Sequence, residues 1–505
     1  MPNVTIDGTD YEVAEGRTIL QALDDLGLLM NGVDIPHYCW HPKLSIDGSC
    51  RLCQVQVDEI PKLQIACDTP VRDGMVVRTQ TDRVAKAREG VMELLLINHP
   101  LDCPICDQAG ECKLQDYAFD YGVKHARTTE PRRPARKAQQ LGPQITFDQE
   151  RCILCRRCVR FCREIPKTGE LGVFQRGDES VLEVFPGSEL DNPYSMNVAD
   201  ICPVGALTTT DFRFKIRVWF LDDVKSVCNQ CSNGCNISAG RTNNRVYRYL
   251  PRRNDSVNDT WMCDAGRLSY KTLATDRLIA PRLRGKSLSY SDAVEEAGAL
   301  LRAAIADGGR IAGIASPFAP NEDLFTFRDM LAALGAKPGS FSVTCGEADD
   351  LLIKDEKAPN AAGARALGFV ESSEPLGDTA VAIVLGHETS AEALAGVETV
   401  ILIDTHESEL ATRAELVLPA RAFAERRGTF TNHAKRVQRF LPFLEPTFEA
   451  WAEGEALQRI AAAAGLDGWG PGWDVAEVSA RLSAEIPAFA GIDLQSVGDG
   501  GLELR

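Results

Sequence analysis

The chain has 505 residues, which is enough for three to four domains at roughly 150 residues each. Its 55 Lys and Arg residues against 72 Asp and Glu residues give a formal net charge of −17, which argues against nucleic acid as a partner. No apolar run approaches the ~18 residues that a membrane helix needs, so we expect membrane contact only through partner proteins.

The first 82 residues predict a small unit of mixed helix and strand. Apolar and polar residues alternate over four short stretches, and one longer stretch has apolar residues at helical spacing. The predicted strands are 4–6, 11–13, 52–57 and 75–79, and the predicted helix is 18–28. This order is typical of a β-grasp ferredoxin.

The cysteines are unevenly distributed along the chain. Sixteen of the seventeen lie between Cys39 and Cys263, and only Cys345 follows them. The first residues lack a basic segment followed by an apolar stretch, so we expect no export signal and a reducing cytoplasm. In that compartment clustered thiols are typical of metal or redox ligands rather than disulfides.

The first cysteine set lies within residues 1–82 and has the spacing C-x10-C-x2-C-x13-C: Cys39, Cys50, Cys53 and Cys67. Four thiolates satisfy a [2Fe-2S] cluster, and small residues such as Gly48 and Ser49 let backbone amides approach the sulfur atoms. Zinc is the alternative, but zinc ribbons favour two C-x2-C pairs and only one is present. The spacing therefore predicts a [2Fe-2S] cluster.

Residues 83–122 predict a helical domain, with an amphipathic helix over 84–97. The second set has the spacing H-x3-C-x2-C-x5-C: His99, Cys103, Cys106 and Cys112. Three thiolates leave a [4Fe-4S] cluster one ligand short, and His99 is close enough in sequence to complete it. A remote fourth thiolate is the alternative, and we interpret His37 and His41 as structural.

Residues 123–147 are predicted to be a linker, because they contain prolines and a basic run with little apolar periodicity. The basic residues are Arg127, Arg132, Arg133, Arg136 and Lys137. A solvated connector is the first interpretation, and a docking arm for an acidic partner is the alternative.

The third set lies in a predicted ferredoxin-like domain, residues 148–222. Its C-x2-C-x2-C loop is Cys152, Cys155 and Cys158, with Cys162 and Cys202 as candidates for the fourth ligand. Cys162 has the ferredoxin offset, but only Cys202 is followed by proline, and a second complete triple is absent. We therefore predict one [4Fe-4S] cluster with Cys202 as the fourth ligand and Cys162 as a free buried thiol.

The fourth set lies in residues 223–283 and has the spacing C-x2-C-x3-C-x27-C: Cys228, Cys231, Cys235 and Cys263. Zinc suits four thiolates equally well, but the three other iron–sulfur patterns favour a [4Fe-4S] cluster. The four sets together predict about fourteen irons per chain.

Residues 284–505 predict a parallel α/β domain, with helices over 292–305 and 323–334 and buried strands over 380–385 and 399–403. Cys345 is interpreted as a core residue. His387 and His406 form no recognisable pair of nucleophile and base, so we expect surface or core roles for them. No G-x-G-x-x-G motif is present, so we expect no NADH bound in the Rossmann manner.

In order and spacing, the four sets closely resemble those of the large iron–sulfur subunit of NADH-quinone oxidoreductase, respiratory complex I, called G in bacteria. The close match covers about residues 1–283. The resemblance implies one [2Fe-2S] cluster and three [4Fe-4S] clusters on the sixteen residues named above, with the last cluster apart from the main electron path. It also implies a flavin- and NADH-binding partner subunit, other peripheral-arm partners, and a place on the cytoplasmic face of the bacterial inner membrane. Electrons would pass toward quinone, coupled to ion translocation in the whole complex, with no catalytic residue in this chain.

The last domain resembles a shortened molybdopterin-oxidoreductase domain through Leu418, Pro419, Glu425 and the segments 428–432 and 436–438. At about 220 residues it is far shorter than a working domain of that family. Asp264 stands where such proteins commonly have a basic residue, and the stretch around Cys345 lacks the histidine that typically follows their metal-binding cysteine. We therefore expect no molybdenum cofactor.

The predicted fold class is thus a multidomain α+β protein: a β-grasp [2Fe-2S] ferredoxin, a helical [4Fe-4S] domain, a ferredoxin-like [4Fe-4S] domain and the shortened α/β domain. Two other functions stay open. One is a catalytic subunit of an NAD-linked formate dehydrogenase or a multimeric iron hydrogenase, although the further cubane and catalytic motifs of those enzymes are missing. The other is a zinc-bearing assembly scaffold.

Overall fold

The computed structural model describes residues 1–29, 33–123, 125–386 and 388–505. The chain divides into two compact units, Met1–Phe220 and Leu221–Arg505, which we describe separately. Across the described residues, none of the helices combines the length and apolar character needed to cross a bilayer.

The first unit contains ten described strands and five α-helices. The strands are β1 (Asn3–Ile6), β2 (Thr9–Glu12), β3 (Gln54–Val57), β4 (Gln64–Ile65), β5 (Met75–Arg78), β6 (Gln139–Gln140), β7 (Ile145–Phe147), β8 (Leu171–Phe174), β9 (Val181–Val184) and β10 (Leu207–Thr209). The helices are α1 (Ile19–Asp25), α2 (Asp82–Leu96), α3 (Lys113–Tyr121), α4 (Arg157–Glu164) and α5 (Asn197–Asp200).

The strands and helix that we predicted in residues 1–82 are confirmed. Their five-stranded sheet has the order β2-β1-β5-β3-β4, with β1 and β5 parallel. Thr18 caps α1 and forms a capping box with Gln21, so the helix begins one residue after the predicted start. It ends at Asp25, before Gly27, because Gly27 has a φ of +67° that is incompatible with a continuing helix.

The predicted linker 123–147 is wrong over its last third. Residues 139–147 contain β6 and β7, which join β10 in a three-stranded sheet, and Ile145 and Phe147 are fully buried. The sequence signal was weak because β7 has only three residues, too few to show a period.

Four of the five basic residues of the linker are paired with carboxylates of the same unit, and Arg132 donates to the His99 carbonyl. Arg127 contacts Glu93, Arg133 contacts Asp178, and Lys137 contacts Glu150 at 2.5 Å. These ion pairs engage the charges that a docking arm would offer to a partner, so the interpretation as a connector is the better of the two.

The second unit contains fourteen described strands and seven α-helices. The strands are β11 (Asp222–Val227), β12 (Asn236–Thr242), β13 (Arg245–Pro251), β14 (Arg282–Leu283), β15 (Lys286–Ser287), β16 (Ile311–Ala315), β17 (Ser340–Phe341), β18 (Val370–Glu371), β19 (Thr379–Leu385), β20 (Val397–Asp404), β21 (Leu416–Pro419), β22 (Gly428–Thr431), β23 (Arg436–Phe440) and β24 (Leu502–Glu503). The helices are α6 (Asp264–Leu268), α7 (Tyr290–Ala306), α8 (Asn321–Ala333), α9 (Ala361–Ala366), α10 (Glu409–Arg413), α11 (Glu453–Ala463) and α12 (Val475–Glu485).

The parallel α/β pattern predicted for the second unit is confirmed. Its eight-stranded sheet has the order β15-β14-β21-β20-β19-β16-β17-β18, and the strands from β21 to β18 run parallel. Strand β19 is almost entirely buried, because helices such as α7, α8 and α11 pack on the sheet. A three-stranded sheet β11-β12-β13 and a second one, β22-β23-β24, complete the unit.

Arg426, Asp323 and Glu453 form a buried charged triad in the second unit. Burial raises the pKa of Asp323, and the Arg426 guanidinium opposes that rise. Replacing Arg426 with Met would leave two buried carboxylates without a counter-charge, so we expect a loss of about 3–5 kcal/mol in unfolding free energy. Urea denaturation of the full chain measures the loss.

Arg413→Met is the control for this prediction, because Arg413 forms an exposed ion pair with Glu409 on the same unit. Its urea midpoint should equal that of the parent chain. Equal midpoints for both variants would show that the buried triad contributes nothing to stability.

Candidate iron–sulfur centres

The structure brings the four cysteines of the first set together. The Cys50 and Cys67 thiols donate hydrogen bonds to the Cys39 sulfur and hold the pKa of Cys39 below its ordinary value. Cys53 is likewise hydrogen-bonded to Cys67. Backbone amides of Cys50 and Ser49 also point to the Cys39 sulfur, and they favour its thiolate.

Gly48 makes this loop conformation accessible, because its φ is +68°. The predicted donor role of Ser49 matches the geometry, whereas Gly48 acts through its backbone conformation.

The two histidines beside Cys39 contact groups outside the cysteine set. The Nδ1 of His37 lies 2.8 Å from the Ile35 carbonyl, and its ring meets Trp40 edge-on at 5.2 Å. His41 accepts a hydrogen bond from the Lys43 amide at 3.2 Å.

The three cysteines of the second set are also neighbours. Burial raises the pKa of Cys112, and the Cys106 and Cys103 thiolates add to that rise. Cys106 and Cys112 are buried, whereas Cys103 is exposed. The structure therefore places the three thiols near one another, in the segment that joins α2 to α3.

His99 is buried near this group, and burial lowers the pKa of its imidazole to about 4. The ring is therefore neutral at pH 7, as a metal ligand must be. Its Nδ1 is buried and has no hydrogen-bond partner among the described residues, which is unusual for a buried imidazole nitrogen. Burial and an unpaired nitrogen do not by themselves place the imidazole against the three sulfurs, so His99 as the fourth ligand stays a prediction.

The third set surrounds a single cavity in the first unit. Cys152, Cys155, Cys158 and Cys202 all line it, and Cys162 does not. Burial raises the pKa of Cys158, with further contributions from its neighbours Cys155, Cys152 and Cys202 and a smaller one from Cys162. The backbone amide of Leu154 donates to the Cys152 sulfur at 3.4 Å.

Cys162 lies on α4 and is fully buried. Burial and the Glu170 carboxylate raise the pKa of its thiol, which is hydrogen-bonded to Glu170. A protonated thiol with its own polar partner is a poor metal ligand, which agrees with the interpretation of Cys162 as a free buried thiol.

The fourth set is gathered around the start of α6. An ideal Cβ built on Gly266 would lie 3.1 Å from the Cys228 sulfur and 3.2 Å from the Cys263 sulfur. The Gly266 amide donates to the Cys263 sulfur at 3.3 Å, and Asn233 Nδ2 donates to the Cys235 sulfur at 3.1 Å. Burial raises the pKa of Cys228, with added effects from Cys235, Cys263 and Cys231.

The segment 428–438, which carried the resemblance to molybdopterin oxidoreductases, supports the loop of the fourth set. Gln438 Nε2 donates to the Gly234 carbonyl at 2.9 Å, and Asn432 Nδ2 donates to the Asn233 carbonyl at 3.1 Å. The His433 amide donates to the Ser232 carbonyl at 2.7 Å. These supporting roles were not predictable from the sequence, because nothing in the spacing of Asn432 and Gln438 links them to residues about 200 positions away.

The donor sets fit iron–sulfur clusters. Thiolates are the usual ligands of iron in such clusters, and amides that donate to sulfur stabilise the reduced, more negative state. Glycines at Gly205 and Gly266 leave space beside sulfur that a Cβ would fill. Within the described ranges, no three His, Cys, Asp or Glu side chains lie close enough together to hold a single metal ion.

The interpretation of Cys345 as a core residue is wrong. Cys345 is exposed, because β17 ends at Phe341 and the chain then continues as an irregular surface segment.

His406 is half-buried, and its Nδ1 lies 2.6 Å from the Thr405 hydroxyl. His387 lies outside the described residues. A large cavity of the second unit is lined by Asp404, His406 and Arg426 among others, and Cys345 is not part of its lining.

Five family models match the chain, in the following order. They are a 2Fe-2S iron-sulfur cluster binding domain (2–82), the NADH-ubiquinone oxidoreductase-G iron-sulfur binding region (88–127), the ferredoxin-like domain of NADH-quinone oxidoreductase subunit 3 (142–208), the molybdopterin oxidoreductase Fe4S4 domain (222–275) and molybdopterin oxidoreductase (356–462). This order confirms the predicted fold class.

The chain is 41% identical over 340 residues to the G subunit of NADH-quinone oxidoreductase from Rickettsia felis, covering 66% of this chain and 50% of that protein. It is 38% identical over 338 residues to the mitochondrial NADH dehydrogenase [ubiquinone] iron-sulfur protein 1 of Solanum tuberosum, covering 66% and 45%. Among solved structures, a chain of an NAD+-reducing [NiFe]-hydrogenase in the H2-reduced state is 29% identical, with a TM-score of 0.38, covering 43% of this chain and 91% of that chain. The chain thus spans about half the length of the curated relatives that it matches. From the matched domains and these relatives, the chain belongs to the family of the large iron–sulfur subunit, type G, of NADH-quinone oxidoreductase.

Proposed function

We propose that this chain is the electron-transfer subunit of an NADH:quinone oxidoreductase and has no substrate site of its own. It would hold one [2Fe-2S] cluster on the first set, with Cys39, Cys50, Cys53 and Cys67 as ligands. It would hold three [4Fe-4S] clusters: one on His99, Cys103, Cys106 and Cys112, one on Cys152, Cys155, Cys158 and Cys202, and one on Cys228, Cys231, Cys235 and Cys263. Such clusters accept and pass on electrons.

One observation carries this proposal: the first three sets are joined by direct contacts within one unit. Arg160 of α4 donates to the Cys39 carbonyl and, at 3.4 Å, to the Cys155 carbonyl. On the other side, the segment after Cys202 reaches the second set, because the Lys113 amide donates to the Pro203 carbonyl at 3.1 Å. Sites held in contact in this way support a role as a conducting series.

The chain's own residues would set the spacing, burial and hydrogen bonding of the clusters. Burial of most of the ligands excludes water, and the amides at Cys39, Cys152 and Cys263 favour the more negative state. No side chain needs to act as an acid or a base. The fourth set lies in the second unit, whereas the other three lie in the first, which supports a role in stability more than in conduction.

The partners follow from this role. A flavin- and NADH-binding subunit would deliver electrons from NADH, and other peripheral-arm subunits would take them on toward quinone, with ion translocation in the whole complex. The chain would lie on the cytoplasmic face of the cell membrane and touch the membrane only through its partners. We expect neither a nucleic-acid partner nor a molybdenum cofactor.

The test is metal analysis and low-temperature EPR of the full chain, prepared without oxygen. We expect about fourteen irons per chain and, after dithionite, signals of both cluster types. Zinc in proportion to the cysteine sets, without paramagnetic signals, would favour an assembly scaffold. Molybdenum or tungsten bound in stoichiometric amount would instead favour a catalytic subunit.

A further inference from the structure

Two arginines on α4 lie between the first and third cysteine sets. Arg157 and Arg160 are three residues apart, which places them on the same face of the helix. Arg160 is 4% exposed, and Arg157 is half-buried with a buried Nε. Arginine is seldom buried to this extent unless something compensates its charge.

Each guanidinium contacts the backbone of both sets at once. Arg160 donates to the carbonyls of Ser45 and Cys39 on one side and to the carbonyl of Cys155 on the other. Arg157 donates to the carbonyl of Trp40, which follows Cys39, and to that of Ile201, which precedes Cys202, at 3.2 Å. The planar fork of arginine allows this double contact, which a lysine ammonium cannot match.

Within the described part of the chain, the positive charge of these two side chains has no carboxylate partner. Among the residues that the structure describes, neither guanidinium forms an ion pair, and the Nε of each is buried without a hydrogen-bond acceptor. Because an uncompensated buried charge is costly, anionic sulfur on both sides is the counter-charge that this geometry calls for.

We propose that Arg157 and Arg160 form a cationic bridge between the first and third sites. The bridge fixes the positions of the two sites relative to each other and favours the reduced state of the cluster in each. The inference rests on the proposed function, because it needs clusters on both sets. Reduction adds one electron and hence one negative charge to a cluster, without forming a bond or requiring a proton. A fixed positive charge beside both sites stabilises that added charge.

The test compares three variants of the full chain in its complex: Arg160→Met, Arg160→Lys and Arg163→Met. Arg163 is the matched control, because it lies on the same helix but its side chain is 64% exposed and pairs with Glu164. The readout is the midpoint potential of the [2Fe-2S] signal and of the third-set [4Fe-4S] signal, from EPR titration with dithionite. Iron content is measured in parallel.

We expect Arg160→Met to make both clusters harder to reduce by about tenfold at a given ambient potential, which for one electron is ~59 mV. Arg160→Lys should move both potentials by less than half as much, and Arg163→Met by nothing. The proposal is contradicted if Arg160→Met shifts neither midpoint potential or only one of them. It is also contradicted if the potentials in Arg160→Lys or Arg163→Met shift as much as those in Arg160→Met.

If Arg160→Met fails to retain its clusters, the lysine variant decides. Clusters retained at parental potentials in Arg160→Lys support the requirement for charge, whereas their loss in both variants assigns Arg160 a packing role and overturns the bridge. A parent chain without the two signals would contradict the proposed function itself, before any variant is compared.

Discussion

Cys202→Ala is expected to remove one [4Fe-4S] cluster, with the loss of about four irons per chain, while Cys162→Ala removes none. The reason is the cavity of the third set, which Cys202 lines together with Cys152, Cys155 and Cys158. Cys162 faces Glu170 instead, to which its thiol is hydrogen-bonded. Iron analysis and low-temperature EPR of the reduced full chain measure the outcome.

Cys162→Ala is also the matched control, because both thiols belong to the same ferredoxin-like region, where Cys162 is buried and Cys202 is half-buried. Removing the Cys162 sulfur deletes a buried polar contact, so we expect a lower urea midpoint and an intact set of EPR signals. The assignment of the fourth ligand fails if the two variants exchange these outcomes, or if both retain every signal.

The proline after Cys202 is what led us to predict this residue as the fourth ligand. A cubane loop of the type C-x2-C-x2-C needs one more thiolate, and the Cys-Pro pair distinguished residue 202 from a nearer cysteine with the correct offset. The backbone then carries Cys202 back to the loop, because β10 (Leu207–Thr209), which follows it, pairs antiparallel with β7 (Ile145–Phe147), which precedes Cys152. The type of ligand follows from a local motif, whereas its approach to the loop depends on strand pairing.

Helix and strand positions were predictable where a local rule decides them. Ser289 caps α7 by accepting from the Asp292 amide, so that helix begins near its predicted start. Residues 380–385 of the buried strand β19 (Thr379–Leu385) are an unbroken apolar run, as a parallel strand covered on both faces requires. By contrast, β7 was missed because three residues carry no period.

The bridge of Arg157 and Arg160 could not be read from the sequence. Basic residues between cysteines are ordinary in a cluster loop, and their pattern does not say whether a guanidinium meets solvent, a carboxylate or the backbone of another domain. The decisive partners, Cys39 and Ser45, are more than 110 positions away. The same holds for Cys345, whose exposure depends on where β17 ends.

Gly205→Ala is expected to disrupt the second site, although Gly205 follows Cys202, a predicted ligand of the third site. An ideal Cβ at Gly205 would lie 2.4 Å from the Cys106 sulfur, far inside van der Waals contact. The segment cannot move away freely, because the Lys113 amide holds the Pro203 carbonyl and the Asp148 amide holds the Ala206 carbonyl at 2.8 Å. We therefore expect Cys106 to be displaced, with the second-set [4Fe-4S] signal lost.

Overpacking of this kind also costs about 1–3 kcal/mol in unfolding free energy, which urea denaturation of the full chain would detect. Gly90→Ala is the matched control, since a Cβ there meets nothing within 4 Å and Gly90 lies inside α2 (Asp82–Leu96). That variant should retain every EPR signal and gain up to about 1 kcal/mol from helix propensity. The prediction is contradicted if Gly205→Ala retains the second-set signal or loses the third-set signal in its place. In either case the contact between Gly205 and Cys106 does not position the second site, and the 203–206 segment serves only the third.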